Sequence, residues 1–336
     1  MTILTSIIQF VSLLLLAVLV FAILGIVSAL SKKEKKSKEP KVVIRSLSKT
    51  YHDRELALRK KINKSSAKKW LKSKNKLNKK LKPSNKPVLF VLDFQGDVKA
   101  SATKQLRELI DVLLLLHQDT PCEVLLRIDS PGGMVNQYGF ASAQCQRLTQ
   151  AGIHLTIAID RVAASGGYMM ACVADQILAA PFAVVGSIGV VFQLPNFHRY
   201  LDKHNIDMEL LTAGDDKRNL TMLAKNTDQD REKCQEQIEE VHTLFKEHVA
   251  KERPQCNMER IATGRYWYGT QAFELRLVDK LITSDDYLLG KYNSHQLYHL
   301  SMSSKKDWKK SLGQDGSALL QKASQWIEGF LSSRLL

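Results

Sequence analysis

Apolar and polar residues follow two different periods along the middle of the chain. Runs of five to seven residues rich in β-forming side chains predict buried strands. Between them, apolar residues recur every three or four positions, which predicts amphipathic helices. The predicted strands are 88–94, 123–129, 154–159, 176–180 and 207–211, and the predicted helices are 103–117, 137–150, one starting near Ser165, and 227–253. This alternation indicates βαβ units around a parallel sheet.

The first 31 residues differ from the rest because they contain no Asp, Glu, Lys or Arg. As a helix, the nearly continuous apolar run from Ile7 to Leu30 would be long enough to cross roughly 30 Å of hydrocarbon. A cleaved signal peptide is the alternative, but no basic residue precedes the run and the run is long for such a peptide. We therefore predict a transmembrane anchor over residues 1–31.

A second uncharged stretch of 23 residues lies between Asp175 and Arg199. Pro181, Gly186 and Gly189 interrupt it, which is typical of short buried strands and turns and not of one continuous helix. We predict that this stretch belongs to the core of the globular domain and that the chain crosses the membrane only once.

The positive charge is concentrated in one segment. The formal net charge is +15, but residues 32–87 alone hold 22 Lys or Arg and 4 Asp or Glu, so the remainder carries −3. We expect a Lys-rich, partly helical tether over residues 32–86 that lies near an anionic lipid bilayer. Specific nucleic-acid binding is not expected, because no folded readout motif accompanies the lysines. The lysines that follow the anchor favour a cytoplasmic catalytic domain.

The remaining features set the other boundaries. A globular domain is predicted over residues 87–290, followed by a C-terminal extension over 291–336 with an amphipathic helix at 317–335. The five cysteines are scattered without the spacing of a metal site, and we interpret them as unpaired thiols that mostly fill the core.

Three stretches carry candidate chemistry. Ser130-Pro-Gly-Gly133 follows a predicted strand, and paired glycines can turn successive backbone N–H groups toward an oxyanion, although a plain turn is an equal alternative. Ser165, between small residues where a helix should begin, is a possible nucleophile or a helix cap. Its spacing differs from the G-x-S-x-G elbow, since position 163 is Ala. Lys217 lies in a polar loop, and composition alone does not distinguish it from a solvated charge.

Together these stretches resemble the signal peptide peptidase A family of serine–lysine peptidases, most closely its SohB branch. The resemblance covers roughly residues 1–290 and includes the 52 residues from Ser165 to Lys217. The matching segments are 130–133, 162–175, Pro181 with 186–189, 212–214 with Lys217, 266–269, Ala272 and 277–279. One departure is Arg276, where the family usually has Gly. Because that glycine would cap a helix, we expect its loss to alter the local geometry.

The resemblance implies an α/β domain of the ClpP/crotonase type, a stack of ββα units, preceded by the transmembrane helix. It implies that Ser165 is the nucleophile and Lys217 the general base of a serine endopeptidase. It further implies an oxyanion hole formed by Gly132, Gly133 and Gly166, and no metal or cofactor.

The same resemblance implies the partners and the location. The expected substrates are signal-peptide-like peptides or fragments of membrane proteins. The expected assembly is a ring-like homo-oligomer, in which the lysine of one subunit reaches the serine of another in some members of the family. The expected location is a bacterial inner membrane with a periplasmic catalytic domain, opposite to the side that the lysines favour.

Two other functions stay open at this point. A crotonase-type acyl-CoA enzyme would also use a Gly-Gly oxyanion loop, but it would explain neither Ser165 nor Lys217. A catalytically silent membrane scaffold would explain the anchor and the helices, but not the presence of both residues.

Overall fold

The computed structural model describes residues 41–80, 86–214, 217 and 220–303, without the side chains of 74–80. Residues Val42–Ser301 form one compact unit. The predicted anchor at 1–31 and the predicted amphipathic helix at 317–335 lie outside the described residues. Within the described ranges, no helix combines the length and the apolar character that a membrane span requires.

Two sheets make up the β structure of this unit. The strands are β1 (Val42–Ser46), β2 (Val88–Gln95), β3 (Cys122–Asp129), β4 (His154–Ile159), β5 (Val162–Ala164), β6 (Gln176–Ala179), β7 (Val184–Gly186), β8 (Tyr266–Tyr268), β9 (Lys280–Leu281) and β10 (Gln296–Met302). The larger sheet has the order β1-β10-β2-β3-β4-β6-β9, and its pairs from β10 to β9 are parallel. In the smaller sheet, of order β5-β7-β8, β5 pairs with β7 in parallel and β7 with β8 antiparallel.

Helices connect these strands and cover the larger sheet. They are α1 (Leu47–Ile62), α2 (Lys64–Lys80), α3 (Thr103–His117), α4 (Val135–Gln150), α5 (Gly166–Ala171), α6 (His198–Lys203), α7 (Asp228–Glu252), α8 (Met258–Ile261), α9 (Gly269–Glu274) and α10 (Ser284–Lys291). The parallel sheet with crossover helices confirms the predicted α/β class.

The core lies on both faces of the larger sheet, because its central strands are buried on both sides. On one face, alternate residues of the strands pack with Leu288 of α10, and Leu47 and Tyr51 of α1 border this cluster. The opposite face meets α3 and α4. Since β1 and α1 contribute to the sheet and its cover, residues 42–62 of the Lys-rich segment are part of the folded unit.

Most predicted elements are confirmed, and two match to the residue. Helix α3 and strand β4 have the predicted bounds. Helix α7 begins after a capping box: the Thr227 hydroxyl oxygen accepts from Asp230 N–H, and the Asp230 carboxylate accepts from Thr227 N–H. Residues 176–186 of the uncharged stretch form β6, a turn and β7, as predicted, whereas residues 187–197 form neither strand nor helix and expose Val191, Phe192 and Phe197, so only part of the stretch belongs to the core.

One predicted strand is wrong. Residues 207–211 form neither strand nor helix, and Met208, Leu210 and Leu211 expose their side chains, with Leu211 at 92%. Their apolar sequence resembles a buried strand, but no neighbouring strand among the described residues pairs with them. Short apolar runs predict β structure only where a sheet edge is available to receive them.

The expected distortion at Arg276 is also wrong. Arg276 adopts the left-handed φ of +62° directly after α9, which is the conformation that a capping glycine would supply. Its N–H donates to Phe273 O at 3.0 Å, and Leu277 N–H donates to Ala272 O at 2.9 Å. These two bonds constitute a Schellman motif, so the helix end keeps its geometry and the arginine backbone bears the strain.

Candidate active site

Ser165 lies on a sharp turn between β5 and α5. Its φ of +51° and ψ of −120° fall in a region that is costly for any residue with a side chain. This strained strand-to-helix turn is the conformation of a nucleophile elbow, although Ala163 occupies the position that the G-x-S-x-G pattern gives to glycine. The side chain is partly exposed.

Backbone hydrogen bonds hold this turn in place. Ser165 N–H donates to Gly186 O at 2.7 Å, which joins the turn to β7. Its carbonyl oxygen accepts from Tyr168 N–H at 2.9 Å and Met169 N–H at 3.0 Å, which starts α5. The fixed backbone therefore determines where the hydroxyl can point.

The glycine loop after β3 meets the Ser165 turn directly. Ser130 N–H donates to Val162 O at 2.8 Å, and Ala164 N–H donates to Ser130 O at 3.1 Å, so the end of β3 pairs with β5. Gly132 has a φ of +94°, and a Cβ atom there would lie 2.7 Å from Ser165 Cβ and 2.8 Å from Gly166 N. Only glycine allows this approach without displacing the turn.

Gly133 is equally confined. A Cβ atom at this position would lie 2.2 Å from the carbonyl oxygen of Val98. That oxygen also accepts a hydrogen bond from Met134 N–H at 2.8 Å. The structure thus brings Gly132 and Gly166 against Ser165, with Gly133 the next residue of the same loop.

The three candidate oxyanion donors differ in whether their backbone N–H group already donates a hydrogen bond within the protein. Gly132 N–H donates to Ser130 Oγ at 3.2 Å. The N–H groups of Gly133 and Gly166 donate to no residue among those described. Two of the three predicted donors are therefore available to a ligand.

Two buried hydroxyl groups, those of Ser130 and Tyr138, are hydrogen-bonded to each other beside the glycine loop. Ser130 Oγ lies 2.6 Å from the Tyr138 hydroxyl, which donates to Asp97 O at 2.8 Å. Both side chains are 0% exposed. Burial raises the pKa of Tyr138, so its phenol remains a donor. Sequence reasoning missed Tyr138, since a tyrosine on the buried face of a helix carries no signal beyond core packing.

Lys217 is not brought to Ser165 in this single chain. It lies between α6 and α7, where its N–H donates to Gly214 O at 3.1 Å. Its side chain is exposed, and it forms no hydrogen bond with Ser165 or the glycine loop among the described residues. The predicted dyad is therefore half assembled: the serine is in a formed site and the lysine is in solvent.

An apolar cavity of about 260 Å³ lies between α4, α5 and α7. Met169, one of its lining residues, is one helical turn after Ser165, and Val135 follows Gly133 by two residues. The lining residues are Val135, Met169, Val241, Leu244, Phe245 and His248. The cavity can hold an apolar side chain.

The cysteines offer no alternative nucleophile. All five thiols are free and four are buried, as predicted. Burial raises the pKa of Cys145 to about 12, which leaves essentially no reactive thiolate near neutral pH. In the part of the chain that the structure describes, no group of three His, Cys, Asp or Glu side chains could hold a metal ion.

Comparisons with known proteins cover nearly the whole chain. The family model "Peptidase family S49 N-terminal" matches residues 2–145, and "Peptidase family S49" matches residues 147–296. The "Probable protease SohB" of Haemophilus influenzae is 51% identical over 233 residues, which cover 69% of this chain and 66% of that protein. The protein of the same description from Buchnera aphidicola (subspecies Schlechtendalia chinensis) is 50% identical over 216 residues, which cover 64% of this chain and 70% of that protein.

A solved structure with a similar chain course is the 1510-N membrane-bound stomatin-specific protease in complex with a substrate peptide. It shares 14% sequence identity, covers 69% of this chain and 99% of its own, and gives a TM-score of 0.43. The matches to the two SohB proteins span about two thirds of those relatives' length.

Proposed function

The chain belongs to peptidase family S49, a family of serine-type peptidases, as a SohB-like member, and we propose that it is an endopeptidase with Ser165 as nucleophile and Lys217 as general base. The observation that carries the proposal is the strained turn at Ser165. The turn presents a partly exposed hydroxyl against a glycine loop that has unoccupied N–H donors among the described residues.

The reaction follows from these groups. Ser165 Oγ attacks the scissile carbonyl carbon, and its proton passes to a neutral Lys217 amine. Backbone N–H groups of the glycine loop and of Gly166 stabilise the oxyanion of the tetrahedral intermediate. Lys217 then protonates the leaving amine, and water hydrolyses the acyl-enzyme by the same steps in reverse order.

The exposed position of Lys217 bears on how the site is completed. A lysine can act as a base only when its amine is desolvated enough to lose its charge. We propose that a homo-oligomer supplies this enclosure and that Lys217 reaches a serine of its own or of a neighbouring subunit. Exposed apolar side chains in the same connection between β7 and α7, including Val191 at 90% and Leu211 at 92%, support burial against another surface.

Co-expression of Ser165→Ala and Lys217→Ala chains tests the sharing of the site. If the lysine acts across subunits, the mixed oligomer regains a substantial fraction of wild-type activity. If each subunit uses its own lysine, the mixture is as inactive as either parent.

The proposed substrate class is based on the apolar cavity, because its lining residue Met169 lies one helical turn after Ser165. The apolar lining of this cavity favours an apolar residue next to the scissile bond, as in signal-peptide-like segments or fragments of membrane proteins. A peptide series that varies only this residue, from Leu to Ala to Asp, should show kcat/KM falling in that order. Equal values for Leu and Asp would contradict an apolar specificity pocket.

We further propose a ClpP/crotonase-type arrangement, supported by the small β5-β7-β8 sheet that joins the end of β3 in the larger sheet. Membrane attachment through residues 1–31 would place the enzyme at a bacterial inner membrane. Reporter fusions at positions 100, 225 and 336 test this topology and identify the side. A single span requires all three fusions to report the same compartment.

A fluorophosphonate probe on the purified full-length protein tests the nucleophile. We expect labelling of the wild type, none of Ser165→Ala, and normal labelling of Ser187→Ala. Ser187 is a suitable control because it is also partly exposed with a positive φ of +53°. Labelling that survives in Ser165→Ala would overturn the assignment. An unlabelled wild type that fails to cleave peptides would favour the silent scaffold, and one that hydrolyses acyl-CoA thioesters would favour the crotonase-type enzyme.

A further inference from the structure

We propose that Ser130 and Tyr138 are positioning residues that occupy Gly132 N–H, so that the substrate oxyanion is bound by the N–H groups of Gly133 and Gly166. This inference rests on the proposed function, because it specifies which atoms of that site stabilise the intermediate. It also corrects the expectation that Gly132 is itself a donor to the oxyanion.

A series of three hydrogen bonds links Asp97 O, the Tyr138 and Ser130 hydroxyls and Gly132 N–H, and the groups at its two ends fix the direction of every bond. The Asp97 carbonyl can only accept, so the Tyr138 hydroxyl donates its single proton there. Ser130 must then donate to the Tyr138 oxygen, since that hydroxyl has no second proton. The Ser130 oxygen is left as an acceptor, and Gly132 N–H donates to it. The series therefore holds the Gly132 peptide in one orientation.

Close packing prevents water from replacing either hydroxyl. A Cβ atom on Gly96 would lie 2.1 Å from Ser130 Oγ and 2.5 Å from the Tyr138 hydroxyl oxygen. Gly167 is packed as tightly on the other side, since a Cβ atom there would lie 2.6 Å from Ser130 O. Removing one hydroxyl thus leaves a buried polar group without a partner, and the loop must move to satisfy it.

The tyrosine also contacts the second proposed donor. Its ring packs on Gly166, where a Cβ atom would lie 2.3 Å from Tyr138 Cγ. One side chain therefore sets the position of both donors: its hydroxyl acts on the glycine loop through Ser130, and its ring acts on the first residue of α5. Small displacements of such donors are costly in catalysis, because they act only on the charge that develops in the transition state.

The substitution Tyr138→Phe removes the hydroxyl and keeps the ring against Gly166. We expect kcat to fall by about tenfold to a hundredfold with KM within about twofold, because only the intermediate loses stabilisation. Tyr287→Phe is the control: Tyr287 lies on α10, is partly buried against the core cluster on that face of the sheet, and its hydroxyl lies 3.3 Å from Thr156 Oγ1. In the control, kcat should stay within about twofold.

Ser130→Ala interrupts the same series of hydrogen bonds at its next member. We expect a loss of kcat of similar size. In the double variant kcat should fall no further than in the weaker of the two single variants, because both changes free the same Gly132 N–H group from its fixed orientation. Multiplying losses in the double variant would overturn the inference, since the two hydroxyls would then act independently.

The rate of fluorophosphonate labelling separates this inference from the proposed function. Phosphonylation places an oxygen in the same hole, so we expect Tyr138→Phe to be labelled at least about tenfold more slowly than wild type. Wild-type labelling that persists in Ser165→Ala would defeat the proposed function. Normal wild-type labelling with equally fast labelling and unchanged kcat in Tyr138→Phe would defeat the positioning role alone.

Discussion

The two halves of the proposed dyad are built in opposite ways. Ser165 lies on a turn fixed by three backbone hydrogen bonds and by glycines packed against it. Lys217 lies in a loop with its side chain in solvent and, among the described residues, a single local backbone bond to Gly214. The fold therefore fixes the proposed nucleophile and oxyanion donors in place, whereas the proposed base would have to be placed by a further event.

This difference indicates which process supplies the free energy that positions each of the two residues. The free energy that holds Ser165 in a strained conformation comes from folding and is present before any substrate arrives. Ordering and desolvating the lysine requires free energy from assembly or substrate binding. We therefore expect changes near Ser165 to act on the chemical step and changes around Lys217 to act on formation of the complete site.

The largest expected effect is the loss of either member of the dyad. Ser165→Ala and Lys217→Ala should each lower kcat by about 10⁴-fold or more, and the double variant should be little worse, because the two groups act as one unit. Peptide hydrolysis with each purified variant measures this. Lys203→Ala, another exposed lysine, should retain full activity. Substantial turnover by Lys217→Ala would show that the lysine takes no part in the mechanism.

The next effect concerns the glycine loop. Gly133→Val places carbon where the Val98 carbonyl lies, so the loop must shift, and we expect activity to fall by about 10²- to 10³-fold. Gly139→Ala is the control, because nothing lies within 4 Å of a Cβ atom there. It should keep its activity and gain about 0.5–1 kcal/mol of unfolding free energy, since it lies within α4. A fully active Gly133→Val enzyme would show that the loop is not preorganised.

Amide hydrogen exchange would compare the two halves directly. Residues 207–213 donate no backbone hydrogen bond to a described residue, whereas the backbone of α5 is buried. We expect the 207–213 amides to exchange at least about a hundredfold faster than those of Met169 to Cys172 in dilute, dissociated protein. Assembly should slow the loop and leave α5 unchanged. Equal protection of both segments in the dissociated protein would contradict the proposal that the Ser165 turn is fixed by the fold while the loop leading to Lys217 is not.

The smallest expected effect lies at the strained end of α9. Arg276→Gly should raise the free energy of unfolding by up to about 1 kcal/mol, because glycine adopts the left-handed conformation without steric cost. Gly264→Ala is the opposite change at a φ of +80° with open space around it, and it should lower that free energy by about 1–2 kcal/mol. Chemical denaturation measures both, and peptidase activity should be unaffected.

The sequence predicted the elements whose periodicity reflects burial. Helix α3 and strand β4 bury the residues that their patterns indicate, and their bounds were correct. The apolar residues of 207–211 gave the same signal but are exposed, because a local pattern contains no information on whether a sheet edge is available. The parallel order of the larger sheet follows from the βαβ alternation, whereas the position of β10 next to β2 depends on contacts across some 200 residues.

The site was predictable only in part, for a similar reason. Ser165 and the glycines were found through their motifs, and the structure brings them together. Tyr138 was missed because its role depends on hydrogen bonds with Ser130 and with Asp97, which lies 41 residues before it, and these three residues meet only in the fold. The strain at Ser165 could not be inferred either, since Ala163 occupies the position of the first glycine in the elbow pattern.

The pairing of Ser130 with β5 has a mechanical consequence. Its two backbone bonds tie the strand that leads into the glycine loop to the strand that leads into Ser165, so the same pair of strands holds the proposed nucleophile and its proposed oxyanion donors. We expect heat or denaturant to separate them only when this strand pairing breaks. The capacity to react with a fluorophosphonate should therefore disappear in one step with the unfolding of the larger sheet, whereas peptide hydrolysis, which also needs the lysine, should be lost earlier, when the assembly dissociates.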